Sequence, residues 1–256
     1  MKKIIVAFLM SMTPVLVLAS GDGMHNDKVD IDLNNKASLQ NGAKLFVNYC
    51  LSCHSAKAMR YNRMAKDLGM TENQVVDNLI FTADYSKKPQ GEPNKVGSLM
   101  EVAMRINDAK QWFGTKIPDL SVVARARGAD WLYTYLRTFY LDESRPFGVN
   151  NQRFPNVGMP HVLWELEGLK KPVYESHKGE DGKEHRVISG FETVVPGKMS
   201  KVEFDNAMRD LVNYMVYMGE PALLERKTIG VWVMLFLVLF FFVSYALKKE
   251  YWKDVH

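Results

Sequence analysis

Asn48-Tyr49-Cys50-Leu51-Ser52-Cys53-His54 holds the residues of this chain best equipped for chemistry. Two thiols three positions apart on one tight turn can each add to a vinyl group of a single porphyrin, giving two thioether bonds. The histidine that directly follows is then carried beneath the iron as an axial ligand. Such tethering fixes the group without a deep enclosing pocket and leaves one edge near solvent for electron exchange. Two other chemistries use paired cysteines. A redox dithiol calls for a βαβ surround, whereas the sequence flanking this motif reads as helical. A structural zinc site needs four ligands, and the chain has 2 cysteines in all. With both in one motif, no disulfide framework can form, although export would permit one. The reading is one covalently attached haem c, with His54 as proximal ligand.

The second axial position decides between electron transfer and catalysis. A methionine there raises the potential, while an open site favours ligand binding or catalysis. Met59, Met64 and Met70 follow His54 too closely to cross the ring plane easily. Met100, Met104, Met208, Met215 and Met218 fall in stretches that read as helical core. Met159 lies in Phe154-Pro155-Asn156-Val157-Gly158-Met159-Pro160, a loop punctuated by Pro and Gly far along the chain from His54. Backbone freedom before it and restriction after it suit an extended segment laid against a ring face. On spacing alone, His161 and Met199 remain competitors.

The elements that must hold these residues can be read around them. Ser38 to Val47 suits a helix capped at Ser38 or Asn41, with Gly42 and Phe46 on one face. Glu203 to Met218 carries Phe204, Met208, Leu211, Met215 and Met218 at helical spacing, with Tyr214 and Tyr217 widening the apolar face. A first and a last helix crossing at Gly42 would close a small haem domain, and the same pattern also fits two ordinary core helices. Asp84 to Gly97, rich in Pro, Gly, Lys and Ser, reads as a loop or partner-contacting excursion. Residues 170–200 alternate charged and apolar around Gly179-Glu180-Asp181-Gly182-Lys183, the pattern of a small β excursion with a Gly-rich turn. There is no internal repeat, which excludes a tandem with two haems.

The two ends read as membrane-related. Met1-Lys2-Lys3, an uncharged apolar run from Ile4 to Leu18 and Ala19-Ser20 describe a secretory signal peptide over 1–20, the alternative being a first transmembrane helix. Thr228 to Leu247 is 20 residues without a charge, long enough for a membrane span. Glu225-Arg226-Lys227 and Lys248-Lys249-Glu250 bracket it. The expected organisation is a periplasmic domain over 21–227, an anchor over 228–247 and a cytoplasmic tail over 248–256. The net charge of +4 mostly reflects the ends. Setting aside Lys2, Lys3, Lys248, Lys249, Lys253, Glu250 and Asp254 leaves 28 basic and 27 acidic residues. Nothing in that balance points to nucleic acid.

Taken together, these residues resemble a family. The run Gly42…Phe46…Cys50-Leu51-Ser52-Cys53-His54-Ser55…Met59-Arg60-Tyr61 is similar to cytochrome c1, the haem subunit of quinol–cytochrome c oxidoreductase (the bc1 complex), bacterial type. Pro118-Asp119-Leu120-Ser121, the stretch Arg125-Ala126-Arg127-Gly128-Ala129-Asp130-Trp131, and Gly158-Met159-Pro160 extend the likeness over roughly residues 38–256. The resemblance implies a mainly α, class I cytochrome c-like haem domain with insertions and one C-terminal transmembrane helix. It places the axial methionine at Met159, a propionate-contacting arginine at Arg127, and further haem contacts at Pro118 and Trp131. It also implies a redox subunit with no substrate pocket of its own. That subunit would take one electron from the Rieske iron–sulfur protein and pass it to a soluble cytochrome c, beside cytochrome b in a dimeric complex of the bacterial inner membrane. Ile117 stands where the family often has a first proline, Trp131 where it commonly has tyrosine, and an extra disulfide found in some members cannot form. The alternatives are a peroxidase-like haem enzyme with an exchangeable sixth ligand, and a free membrane-tethered carrier.

Overall fold

The computed structural model describes residues 25–84, 92–102, 104, 106–178 and 184–254. The expected leader and the Gly-rich turn at 179–183 lie outside these residues, as do 85–91 of the Asp84–Gly97 segment. The elements in chain order are α1 (Lys36–Tyr49), β1 (Ala56–Arg60), α2 (Tyr61–Leu68), α3 (Glu72–Leu79), β2 (Ala83–Asp84), β3 (Glu92–Pro93), β4 (Leu99–Met100) and α4 (Ile106–Phe113). Then come α5 (Val123–Arg127), α6 (Ala129–Arg137), β5 (Phe139–Leu141), β6 (Val149–Asn151), α7 (Trp164–Glu167), β7 (Gly168–Lys178), β8 (Glu184–Pro196), α8 (Lys201–Gly219) and α9 (Leu223–Tyr251). Among the described residues the strands form two-stranded antiparallel sheets: β1 with β4, β2 with β3, β5 with β6, and β7 with β8. The body is therefore mainly helical, with hairpins as additions.

The core forms where α1 crosses α8. Gly42 makes the crossing possible: a β-carbon placed there would stand 2.1 Å from the Asp210 carbonyl oxygen and 2.6 Å from Tyr214 Cβ. One turn on, Phe46 packs its ring on Tyr214 at 5.6 Å. Asp210 lies nearly buried at the same crossing and accepts from Ser38 Oγ (2.7 Å) and Asn41 Nδ2 (2.8 Å), which pins the two helices in register. Gly42→Ala therefore pushes apart two backbones that cannot repack. It should destabilise the domain by about 2–3 kcal/mol or more. Chemical denaturation followed by far-ultraviolet circular dichroism measures this, and wild-type stability in the variant would show that the crossing yields easily.

The helix ends follow capping rules, with one tertiary override. Asn35, not Ser38, caps α1, its side chain accepting from the Ser38 amide at 3.1 Å. Ser38 is unavailable as a cap because its hydroxyl serves Asp210. Helix α8 begins at a capping box between Ser200 and Glu203. Met100 departs from the expected helix: it sits in β4, paired to Ala56 of β1, and is fully buried under the Tyr214 hydroxyl. Met104 lies outside any helix.

The expected β excursion is a long hairpin. Strand β7 pairs with β8 from Gly168↔Pro196 to Lys178↔Glu184, with irregularities at Leu169/Lys170 and Val173/Tyr174. Helix α9 runs 29 residues with its side chains exposed and a mean hydropathy of 2.5 over its most apolar stretch. At about 1.5 Å per residue it exceeds the thickness of a hydrocarbon core. Among the described residues it is the one helix long and apolar enough to cross a membrane.

Candidate haem site

The last turn of α1 does not stop at Tyr49 but continues into an irregular curl. The Cys50 and Leu51 amides donate to the Phe46 carbonyl, and the Cys53 and His54 amides both donate to the Cys50 carbonyl, at 3.1 and 2.8 Å. This curl puts Cys50, Cys53 and His54 on one concave side. Downstream of His54 the chain enters β1, so the motif is helical on its upstream side only.

A strap holds that curl. The Leu120 amide donates to the Ser55 carbonyl, the Lys57 amide to Asp119 Oδ2 at 2.9 Å, and the Ala58 amide to Ser121 Oγ at 3.0 Å. The Pro-Asp-Leu-Ser segment is thus zipped alongside residues 55–58. The Asp119 carboxyl is pushed up by partial burial, but bonds from Ser121 and Lys57 outweigh that and hold it below its ordinary value. It therefore remains an ionised acceptor down into the acid range.

The strap presents the Pro118 carbonyl to His54 Nδ1 at 2.8 Å. A carbonyl only accepts, so Nδ1 carries the proton and Nε2 keeps its lone pair. Burial lowers the His54 pKa against the opposing influence of the Pro118 bond and the Asp119 charge. The imidazole is neutral at neutral pH, which is the form a metal ligand requires.

The loop bearing Met159 is equally well held. Asn151, fully buried, accepts from the Arg153 and Phe154 amides, each at 2.9 Å. Asn150 accepts from the Asn156 amide at 2.8 Å. Asn156 adopts φ 62°, and its oxygens accept from Arg145 at 3.2 and 3.1 Å. Val157 then seals the loop against Phe139 and Val149, with Met159 packed on that cluster. Tyr135 of α6 donates its hydroxyl to Met159 Sδ at 3.3 Å. Burial pushes the Tyr135 phenol well above its ordinary value, so it stays a donor.

All seven residues singled out in the sequence line one cavity of about 400 Å³: Cys50, Cys53, His54, Pro118, Arg127, Trp131 and Met159. The rest of its wall is largely apolar, including Ile117, Leu120, Val123, Leu132, Leu136 and Met215. The volume falls in the usual range of cofactor pockets, about 300–1,000 Å³. The donor set suits an iron porphyrin: two thiols, a neutral imidazole with a free Nε2 and the thioethers of Met159 on its loop and Met215 on α8, in an apolar wall with a cation at its edge. It does not suit a hard cation, since among the described residues no cluster of three His, Cys, Asp or Glu could hold a metal ion. It does not suit a redox dithiol either. Burial, reinforced by Cys53, pushes the Cys50 thiol up to about 12, whereas a reactive thiol is shifted down.

Arg127 sets its guanidinium over the Trp131 ring at 5.0 Å and over Phe154 at 5.8 Å. The Trp131 indole stacks on Tyr135 at 5.0 Å. The competing ligand candidates lie elsewhere. Among the described residues the cavity wall contains neither His161 nor Met199. His161 is buried flat against Phe139 at 5.0 Å, with Nε2 3.1 Å from Glu167 Oε2, and Met199 packs on the main core. Tyr135 is the residue at this site that the sequence did not single out. Its place four residues after Trp131, on the same helix face, was the available signal.

The family described as the Cytochrome C1 family matches this chain over residues 29–167 and 193–255, leaving out most of the β7–β8 hairpin. A cytochrome c1 from Allochromatium vinosum is 50% identical over 100% of both chains. A protein from Nitrosomonas europaea named ammonia monooxygenase gamma subunit is 47% identical, over 96% of this chain and 95% of its own. The mitochondrial cytochrome c1 haem protein of Saccharomyces cerevisiae is 24% identical, over 96% of this chain and 78% of its own.

Proposed function

The chain belongs to the cytochrome c1 family, and from that premise we propose that Cys50 and Cys53 carry its haem and that His54 and Met159 are the axial ligands. The protein is an electron-transfer cytochrome with covalent haem c, a redox subunit of the bc1 complex. The observation that carries the residue assignment is the convergence of both thiols, the Pro118-oriented imidazole and the Met159 thioether on one apolar cavity.

The bound haem supplies a one-electron ferric–ferrous couple. The chain's residues do the rest. Pro118 fixes the tautomer of His54 and so leaves Nε2 unprotonated on a ring that lines the cavity. The apolar wall excludes water, which disfavours the extra charge of the ferric state and raises the potential. Arg127 supplies a cation that can pair with a propionate, and its stacking on Trp131 holds the guanidinium in place. His54 and Met159 would both hold the iron, so little would have to rearrange around it on electron transfer.

In this reading the electron arrives from the Rieske iron–sulfur protein and leaves to a soluble cytochrome c, beside cytochrome b in a dimeric complex. Residues 21–227 form the periplasmic domain behind a signal peptide over 1–20. The 228–247 segment crosses the inner membrane, and 248–256 face the cytoplasm. The monooxygenase name carried by one relative does not redirect the assignment. Oxygen chemistry needs an open coordination position, and here a thioether lines the same cavity as the imidazole. Extraction in mild detergent tests the reading. The haem-stained chain should co-purify with a b-type haem subunit and an iron–sulfur protein. A chain that purifies alone and binds carbon monoxide when reduced would count against it.

A further inference from the structure

We propose that Tyr135 is a positioning residue for Met159, aiming its thioether sulfur for ligation and raising the reduction potential through an O–H···S hydrogen bond. The proposal rests on Met159 being the sixth ligand. A methionine side chain has three rotatable bonds and little intrinsic preference among them, so something outside it must select the rotamer that turns sulfur toward the cavity. The Tyr135 hydroxyl, 3.3 Å from Sδ, is the group in place to do so.

Tyr135 is itself rigid. Its ring lies face to face with Trp131 at 5.0 Å and edge-on to Phe139 at 5.3 Å. Its backbone carbonyl accepts from Asn151 Nδ2 at 2.8 Å. Asn151 also organises the start of the Met159 loop. One buried asparagine thus ties together the helix that carries the donor and the loop that carries the acceptor.

A thioether sulfur has two lone pairs. The phenol takes one and leaves the other for a metal. Donation of the hydrogen bond draws density from sulfur, and ferric iron, which demands more from its ligands, loses more than ferrous iron does. Removing the bond should therefore lower the potential.

Tyr135→Phe in the full-length, haem-loaded protein is the test, because it keeps the ring contacts and deletes only the O–H. Haem content and melting temperature should stay near wild type. The ferric-to-ferrous ratio at a fixed solution potential should rise about threefold, as expected if part of the strength of the hydrogen bond depends on oxidation state. Carbon monoxide should bind the reduced variant faster. In a Met159→Leu background the same change should do nothing, since no sulfur remains to orient. An unchanged potential in Tyr135→Phe, or an equal shift in the Met159→Leu background, would overturn the proposal and leave Tyr135 as packing. A six-coordinate, low-spin Met159→Leu protein would overturn the ligand assignment itself, a distinct result. Should Tyr135→Phe fail to hold haem, deuterium exchange of the wild type decides. A shifted iron–sulfur stretch supports the bond, and an unshifted one sinks it.

Discussion

Replacing Met159 with leucine should lower the reduction potential by on the order of 0.2–0.3 V, a substantial part of the range that axial ligands control. Leucine nearly conserves volume, and such exchanges usually cost under about 1.5 kcal/mol. The loop should hold its shape, because its backbone anchors do not involve the thioether, and only the Tyr135 bond to sulfur is lost. Asn150 and Asn151 bind its amides, and Val157 packs on Phe139 and Val149. The variant thus isolates ligation from folding. Its reduced form should bind carbon monoxide readily, whereas the wild type should not. Electron transfer from a high-potential donor should stall even with every subunit assembled. Neither His161 nor Met199 lines the cavity, so neither can replace the sulfur without rebuilding the loop. Redox titration with optical spectra checks the prediction. A Met159→Leu protein that keeps a low-spin, six-coordinate haem at the wild-type potential would falsify the ligand assignment.

Covalent attachment carries the second large effect. In wild type, all the haem should survive acid–acetone extraction of the denatured protein. Cys50→Ala and Cys53→Ala should each leave a single thioether and a shifted reduced spectrum, with lower haem content. The double substitution should release all of it. The reason lies in the cavity. Cys50 is buried and Cys53 partly exposed, so the two thioethers would tether the ring from the interior and from the rim. Without thioethers it would depend on His54, Met159 and the apolar wall. An empty apolar cavity of about 400 Å³ walled in part by Tyr49, Leu132, Leu211 and Met215 should also loosen the fold, and the double variant should lose its cooperative thermal transition. Haem that extracts freely from the wild type would mean that the thiols serve another purpose.

Several elements were legible because their cause is local. The α1 helix, the α8 helix and the apolar stretch of α9 each announce themselves by periodicity or by an unbroken uncharged run. Their boundaries moved for nameable reasons. Helix α9 extends from Leu223 to Tyr251, beyond the uncharged 228–247 stretch. The charges of Glu225, Arg226, Lys248 and Glu250 mark a change of solvent, and these same residues are good helix formers. Helix α1 starts two residues earlier than Ser38 because a buried contact with Asp210 claims the Ser38 hydroxyl. Met100 read as helical core and proved to be core on a strand. Two residues of β4 carry no periodicity of their own, and only pairing with β1 defines them.

The sequence by itself determined the spacing that the proposed attachment requires, since Cys50, Cys53 and His54 lie within one turn and their relation is fixed by the backbone between them. It also determined the membrane-length helix, where composition alone sets the solvent. What only the tertiary structure decided are relations across long stretches of chain. Pro118 turns its carbonyl to His54 because Asp119 and Ser121 bind the amides of 57 and 58. Met159, and not His161 two residues on, lines the cavity because Val157 and the buried Asn151 set the loop's phase. Tyr135 meets the sulfur because α6 is packed to face that loop. Spacing can nominate such residues, but a hydrogen bond between distant segments depends on the packing that fixes their distance and angle, and no local pattern encodes that.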